Sequence, residues 1–390
     1  MGATKSNMPS KSPKPAGSHT PPPEDYSNWV RAAMRNIAAT PDAAVLFDST
    51  IKEPTELLAQ VVRGAFGGEI TDRYESVFAN GNRFVAAAVA RRYGVQPANV
   101  LCTTGATSAM AMAIRAFIEP GDHVIVETPC FDLLPGLAAA AGATISYLPR
   151  RAPDFAVDAA ELEGLIRPQT RLVLLTDLHN PSGGALGQGT LLALAALAGK
   201  SGVRIVIDEV YGDFAGPHVA AATYSPEIIS VGSLTKVQGL FALKCGWAIA
   251  APDKIARILA ASEQGDMGVS KLSHAVAARV LEDMAPFDDH WRGLLARSRP
   301  VLERHAQSMI AEGLLAGELP AHGCMYFPRV VGVADTHAFA EWLWREHHVM
   351  VAPGEFYGLP GHVRIGFGGD AEPLDRGLGR FADALRRYSR

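Results

Sequence analysis

Residues 204 to 211 read Arg-Ile-Val-Ile-Asp-Glu-Val-Tyr. Ile205, Val206 and Ile207 form a strand with no polar face, short enough for an interior place in a parallel sheet covered on both sides. Asp208 ends that dry run, and Tyr211 follows three residues later. In an open α/β sheet the ligand crevice lies beyond the carboxyl ends of the strands, so a carboxylate and a phenol placed here face a candidate site. Taken alone, an acid at a strand end is more often a helix cap or a loop residue. The surrounding sequence has to decide.

It decides by repetition. From Asn99 onward short apolar runs alternate with Ala- and Leu-rich stretches, the pattern of a parallel sheet covered by helices. Candidate strands are Val100 to Cys102, His123 to Glu127, Ala143 to Leu148, Arg171 to Thr176, Arg204 to Ile207, Ile228 to Val231 and Gly246 to Ala250. Candidate helices with apolar residues at helical spacing are Thr107 to Phe117, Ala159 to Ile166 and Thr190 to Ser201. The expected fold class is α/β, with a large domain over 56–285. After about Ala285 a long charged helix, Asp288 to Ala311, and short strands around Met325 to Val330 and Val363 to Phe367 predict a smaller C-terminal domain, 286–390. Residues 26–55 precede the alternation and are expected to pack on the smaller domain as an N-terminal arm. Residues 1–25 hold six prolines and no continuous apolar stretch; they read as a disordered tail, not as a secretory signal.

Composition narrows the function classes. The 390 residues are 48% hydrophobic and 19% charged, with 36 Lys and Arg against 40 Asp and Glu for a net charge of -4. So small a net charge makes no electrostatic case for nucleic acid or an anionic membrane. The longest apolar run, Leu191 to Ala198, is eight residues, against the roughly 20 that a membrane-spanning helix requires. Cys102, Cys130, Cys245 and Cys324 lie far apart with no CxxC pair, which argues against a zinc cluster and a disulfide framework and suits a reducing cytoplasm. The histidines, His347-His348 included, show no metal-ligand spacing. No metal is expected.

Three more strand ends carry polar residues. Arg171 to Thr176 leads to His179-Asn180-Pro181-Ser182-Gly183, a turn that projects an amide. Ile228 to Val231 leads to Ser233-Leu234-Thr235-Lys236, followed by Gly239, Lys244 and Gly246-Trp247. Val100 to Cys102 leads through Thr103 and Thr104 to Gly105-Ala106-Thr107 at a helix start, where backbone amides bind anions. Each alone is weak. Their order and spacing are not: 28 residues separate Asn180 from Asp208, and another 28 separate Asp208 from Lys236.

With these residues the sequence resembles the class I/II aminotransferases, fold-type I enzymes that use pyridoxal 5'-phosphate. The resemblance runs from about residue 30 to the end and rests on Gly105-Ala-Thr107, Pro129-Cys-Phe131, His179 to Gly183, Asp208-Glu-Val-Tyr211, Ser233 to Lys236 with Gly239-Leu240 and Gly246-Trp247, and Pro353-Gly-Glu-Phe356 leading to Val363-Arg-Ile365. It implies a mainly parallel seven-stranded sheet in the large domain and a homodimer with shared active sites. It also implies transfer of an amino group between an amino acid and a 2-oxo acid in ping-pong fashion.

The resemblance assigns roles. Lys236 would form the Schiff base and move the proton at substrate Cα, and Asp208 would hold the pyridine nitrogen protonated. Tyr211 and Asn180 would hydrogen-bond the ring oxygen, and Phe131 would stack on the ring. Gly105, Ala106, Thr107, Ser233 and Thr235 would hold the phosphate, and Arg364 the substrate carboxylate. Tyr74 resembles the tyrosine that reaches a neighbouring subunit's phosphate. Lys244 stands eight residues after Lys236, where relatives carry an arginine; it keeps the charge and loses the fork. Thr50-Ile-Lys-Glu-Pro54 replaces the Gly-x-Pro turn that many relatives set against the substrate, and Lys52 or Glu53 is a candidate reader of the substrate side chain.

The rival function on the same cofactor is a lyase, cyclase or oxidase, since elimination, decarboxylation and transamination start from one bound substrate. A transcriptional regulator with a borrowed aminotransferase-like domain would need a helix-turn-helix module, and only the Pro-rich tail precedes residue 26. Gly366-Phe-Gly-Gly369 looks like a dinucleotide loop but has no βαβ unit or ribose-binding acid around it.

Overall fold

A computed structural model describes residues 26–75, 81–262 and 268–388; the expected tail, 1–25, lies outside them. The chain opens with helix α1 (Tyr26–Ala38), a short strand β1 (Ala44–Val45) and two helices, α2 (Thr55–Phe66) and α3 (Arg83–Tyr93). Asn82 caps α3 by accepting from the amides of Phe84 at 3.0 Å and Val85 at 3.2 Å. Gly94 ends the helix in the left-handed region, φ 67°.

The alternating region then builds one seven-stranded sheet. Its members in chain order are β2 (Val100–Thr103), β3 (His123–Thr128), β4 (Thr144–Pro149), β5 (Thr170–Thr176), β6 (Arg204–Asp208), β7 (Ile228–Ser233) and β8 (Gly246–Ile249). Their spatial order is β2-β8-β7-β6-β5-β3-β4. All neighbours are parallel except around β8, which runs antiparallel to both β2 and β7. The helices between them, α4 (Ala106–Phe117), α5 (Leu133–Ala140), α6 (Ala159–Leu165) and α7 (Gln188–Ser201), cover the faces. Coverage on both sides explains why the middles of β5 and β6, Leu172 to Leu175 and Ile205 to Ile207, are apolar instead of alternating. Register matters for function: Thr176 pairs with Asp208, and Asp208 with Val231. The last residues of β5 and β6 therefore lie level, and β7 runs two residues further at the same sheet edge.

Helices α8 (Pro252–Ser262) and α9 (Lys271–Glu282) pack against this layer, and α10 (Ala285–Ala311) leads out of it. The remaining strands are two to four residues each: β9 (Leu315–Ala316), β10 (Met325–Tyr326), β11 (Arg329–Val330), β12 (Val349–Met350), β13 (Ala352–Pro353) and β14 (Val363–Gly366). They are accompanied by α11 (Thr336–His347) and α12 (Ala371–Tyr388), the latter packed on α10. The expected strand region around Met325 to Val330 is two pieces in two sheets, β10 against β14 and β11 against β9. Pro328 sits at the break and has no N–H to continue a ladder.

The arm joins this second layer through its backbone. β1 pairs in parallel with β12, Ala44 to Val349 and Val45 to Met350. Ala44 and Leu46 share one apolar cluster with Phe339, Leu343, Leu378 and Phe381. Among the described residues no helix is long and apolar enough to cross a membrane.

Candidate active site

A cavity of about 270 Å³ opens at the level sheet edge. Asp208 enters it from β6, Thr176 and Asn180 from the end of β5, Ser233, Thr235 and Lys236 from the end of β7, and Gly105, Ala106 and Thr107 from the turn after β2. Phe131 follows β3, and Arg364 comes from β14 of the second layer. Residues up to 338 positions apart, Tyr26 and Arg364, thus line one cavity.

The glycines of the motifs are needed for close approach. A Cβ on Gly246 would lie 2.4 Å from the carbonyl carbon of Gly105, and a Cβ on Gly232 would lie 2.4 Å from Nε1 of Trp247. Gly246 thus lets β8 close against the turn that starts α4, and Gly232 makes room for Trp247. Gly105 itself has φ 82°, a conformation that side chains resist. The first amides of α4, those of Ala106 and Thr107, have no acceptor within the helix, and both residues line the cavity at the helix's positive end.

Asp208 shows a surface only to the cavity and is otherwise packed in protein. That burial pushes its carboxyl up to about 6, against the hydrogen bond from the Val210 amide and the nearby charge of Lys236. Such a carboxylate suits a cationic partner in the cavity. Tyr211 is buried and held as a phenol well above its ordinary range by that burial; its hydroxyl meets Ser49 Oγ at 2.8 Å. Lys236 Nζ donates to Thr50 Oγ1 at 3.2 Å and lies 6.0 Å from the centre of the Tyr211 ring.

Arg364 is 2% exposed, yet no carboxylate among the described residues pairs with it. Nη1 donates to Asn180 Oδ1, and Nη2 to Tyr26 hydroxyl and Phe47 carbonyl oxygens, each at 2.9 Å. All three acceptors are neutral, and Nε has no partner among the described residues. A buried cation in neutral surroundings calls for an anion from outside. Asn180, with Oδ1 turned to Arg364, has its amide nitrogen left as a donor for a ligand.

Behind the cavity a buried polar set holds these loops. Thr176 Oγ1 donates to Glu127 and accepts from the Asn180 amide at 3.1 Å. Glu127 also pairs with Arg150 at 2.7 Å, both side chains fully buried, and burial pushes the Glu127 carboxyl up to about 7. His179 Nε2 donates to the Pro129 carbonyl at 2.8 Å, so Nδ1 is the acceptor from Ser182 Oγ at 2.6 Å. His179 thereby ties the loop that carries Asn180 to the loop that carries Phe131.

Lys244 reaches the cavity wall, its ammonium 3.4 Å from the centre of the Phe241 ring. Burial and then the charge of Lys236 lower its pKa. Two candidates are not brought there. Lys52 is exposed and ion-paired with Asp370, and it lines a separate cavity of about 850 Å³ between the arm and α12, as does Glu53. Tyr74 lies outside the cavity, its ring against Phe66 and beneath the Lys271 ammonium at 4.3 Å. Tyr26, Ser49 and Thr50 were not anticipated. Tyr26 opens helix α1, and Ser49 and Thr50 lie at the start of the stretch that replaces the Gly-x-Pro turn; only the fold reveals their contacts.

A lysine, a buried acid, a stacking aromatic and a helix start around one crevice of a mainly parallel sheet define the fold-type I pyridoxal-phosphate enzymes. Residues 54–381 match the family model of aminotransferase class I and II, and the chain belongs to that family. Its cofactor is pyridoxal 5'-phosphate. The chain is 32% identical over 316 residues to capreomycidine synthase of Streptomyces vinaceus, 80% of each chain. It is 29% identical over 343 residues to arginine–pyruvate transaminase AruH of Pseudomonas aeruginosa, 83% of this chain and 86% of that one. Among solved structures, the PLP-dependent cyclase OrfR is similar with a TM-score of 0.81 and 26% identity, covering 95% of this chain and 100% of that one.

The residues present fit the cofactor. The open amides of α4 with Ser233 and Thr235 would take its phosphate, Phe131 its ring face, and Asp208, whose raised pKa a cation would relieve, its pyridinium.

Proposed function

We propose that this protein is an aminotransferase that moves an amino group between an amino acid and a 2-oxo acid through a Schiff base on Lys236. The observation that carries this reading is Arg364, a buried fork without a counter-ion among the described residues that opens on the same cavity as Lys236. A planar guanidinium takes a carboxylate by two parallel hydrogen bonds and fixes the orientation of the attached Cα.

Bound, the cofactor supplies an electron sink for the charge left when a bond at Cα breaks. The chain's residues do the rest. Arg364 binds the carboxylate, Asp208 keeps a positive charge at the ring nitrogen, Asn180 and Tyr211 donate to the ring oxygen, and Lys236 Nζ carries the proton to and from Cα. Lys244 gives the phosphate a point charge in place of a fork. A homodimer belongs to the proposal, with Tyr74 on the outside of one subunit available to the other's site. So does a reducing, cytoplasmic setting, which the four buried free cysteines suit.

The likeness to capreomycidine synthase and to a PLP-dependent cyclase supports a second reading, elimination or cyclisation at the same site. One assay separates them. A panel of amino acids, basic ones included, is incubated with and without 2-oxo acids, and products are read by mass spectrometry. Turnover that requires the oxo acid and returns its amino form supports transamination; ammonia release or a ring-closed product without oxo acid supports the second reading.

A further inference from the structure

The arm segment that lacks the familiar Gly-x-Pro turn places Thr50 against the amine of Lys236. Nζ donates to Thr50 Oγ1 at 3.2 Å, and next to it the Ile51 amide donates to the main-chain carbonyl of Lys236 at 3.1 Å. Lys236 is thus gripped twice by adjacent arm residues, at its backbone and at its reactive nitrogen. The segment cannot drift. A Cβ on Gly239 would lie 2.6 Å from the Ile51 carbonyl oxygen, one on Gly366 1.7 Å from that of Asp48, and one on Gly368 2.3 Å from that of Thr50. Those three glycines let the arm sit at this depth.

We infer that Thr50 acts directly on the Lys236 amine: its hydroxyl fixes one N–H so that the nitrogen's lone pair points into the cavity toward substrate Cα. A lysine amine on a four-carbon stem has many rotamers, and a proton carrier works only in the geometry that reaches the proton. The charged and titratable groups around Nζ are Asp208 at the end of β6, the Tyr211 phenol beyond it, Lys244 before β8 and Cys324 before β10. An uncharged replacement at residue 50 leaves all four in place.

This inference rests on the cofactor reading, and its test separates the two. Holoenzyme is first reduced with borohydride and peptide-mapped, then Thr50→Val and Thr50→Ser are compared with the parent. With the label on Lys236, Thr50→Val is expected to lower kcat about tenfold with KM within about twofold. Without substrate, it is also expected to shift the pH midpoint of the visible absorbance band by about half a unit. Thr50→Ser restores both. A Val variant with unchanged kcat and midpoint, or a Ser variant as impaired as Val, overturns the role of the hydroxyl while the cofactor reading stands. No label on Lys236 overturns both.

Discussion

Replacing Asp208 by Asn should stabilise the cofactor-free protein while disabling the enzyme. Burial raises the Asp208 carboxyl from 3.8 to about 6, so the folded chain holds a proton that the unfolded chain has released across that window. For an acid with a raised folded value, stability falls as pH rises through the window and stays low above it. A shift of about two units corresponds to roughly 3 kcal/mol at 1.36 kcal/mol per unit. Asparagine keeps the acceptor for the Val210 amide and never ionises, so it escapes that cost. With an unfolding entropy of about 2.1 cal/mol/K per residue, roughly 3 kcal/mol over a chain of this length is about 4 °C in Tm. The assay is thermal unfolding of stripped parent and variant from pH 4 to 8. The variant's advantage should be near zero at pH 4, grow to pH 6 and level off beyond it. Holoenzyme should behave oppositely, with kcat of the variant down at least about 100-fold because nothing holds the ring nitrogen charged. An Asn variant no more stable than the parent at pH 8, or one whose advantage ignores pH, would refute the assignment of Asp208 as a desolvated acid awaiting a cation.

Three further substitutions probe other parts of the site. Arg364→Lys keeps the charge and loses the fork, and KM for amino acid substrates should rise roughly 10- to 100-fold; an unchanged KM would move the carboxylate elsewhere. Gly368→Ala puts a methyl 2.3 Å from the Thr50 carbonyl oxygen, whereas Gly369 has nothing within 4 Å of the same position. Urea unfolding should show about 2 kcal/mol lost in the first and almost none in Gly369→Ala. Lys244→Arg restores a planar donor at the cavity wall, and spectral titration of stripped protein should show cofactor binding about tenfold tighter.

The large layer was legible because its strands are long enough to carry a signal. Ile205 to Ile207 and Leu172 to Leu175 are unbroken apolar runs, and burial on both faces is what such runs require. Their polar sequels, Asp208, Asn180 and Lys236, were legible because strand register brings strand ends level. The antiparallel direction of β8 was not, since an apolar run is the same in either sense. Nor were the two-residue strands β9, β12 and β13, too short for any period to show, or the break at Pro328 that divides the expected strand region Met325 to Val330 into β10 and β11. The contacts of Tyr26, Ser49 and Thr50 were hidden for another reason. The Tyr26 hydroxyl meets Arg364 across 338 positions and Ser49 meets Tyr211 across 162. A single hydroxyl, at a helix start or in an irregular segment, leaves no mark at that range.

Gly366-Phe-Gly-Gly369, which imitates a nucleotide loop, has its explanation in the same arm. Gly366 and Gly368 lie under Asp48 and Thr50, while Arg364 of the same strand turns its guanidinium to Phe47 and the cavity. The Gly366 amide donates to the Leu46 carbonyl at 2.7 Å, and the Lys52 amide to the Gly368 carbonyl at 2.8 Å. The strand β14 and the turn after it therefore carry both Arg364, the proposed reader of the carboxylate, and the seat of the segment that meets Lys236. Any shift of β14 against the large sheet must move the carboxylate fork and the Thr50 hydroxyl together. On the proposed function, the angle between substrate Cα and Lys236 would then be set by that strand more than by the mobility of the lysine side chain.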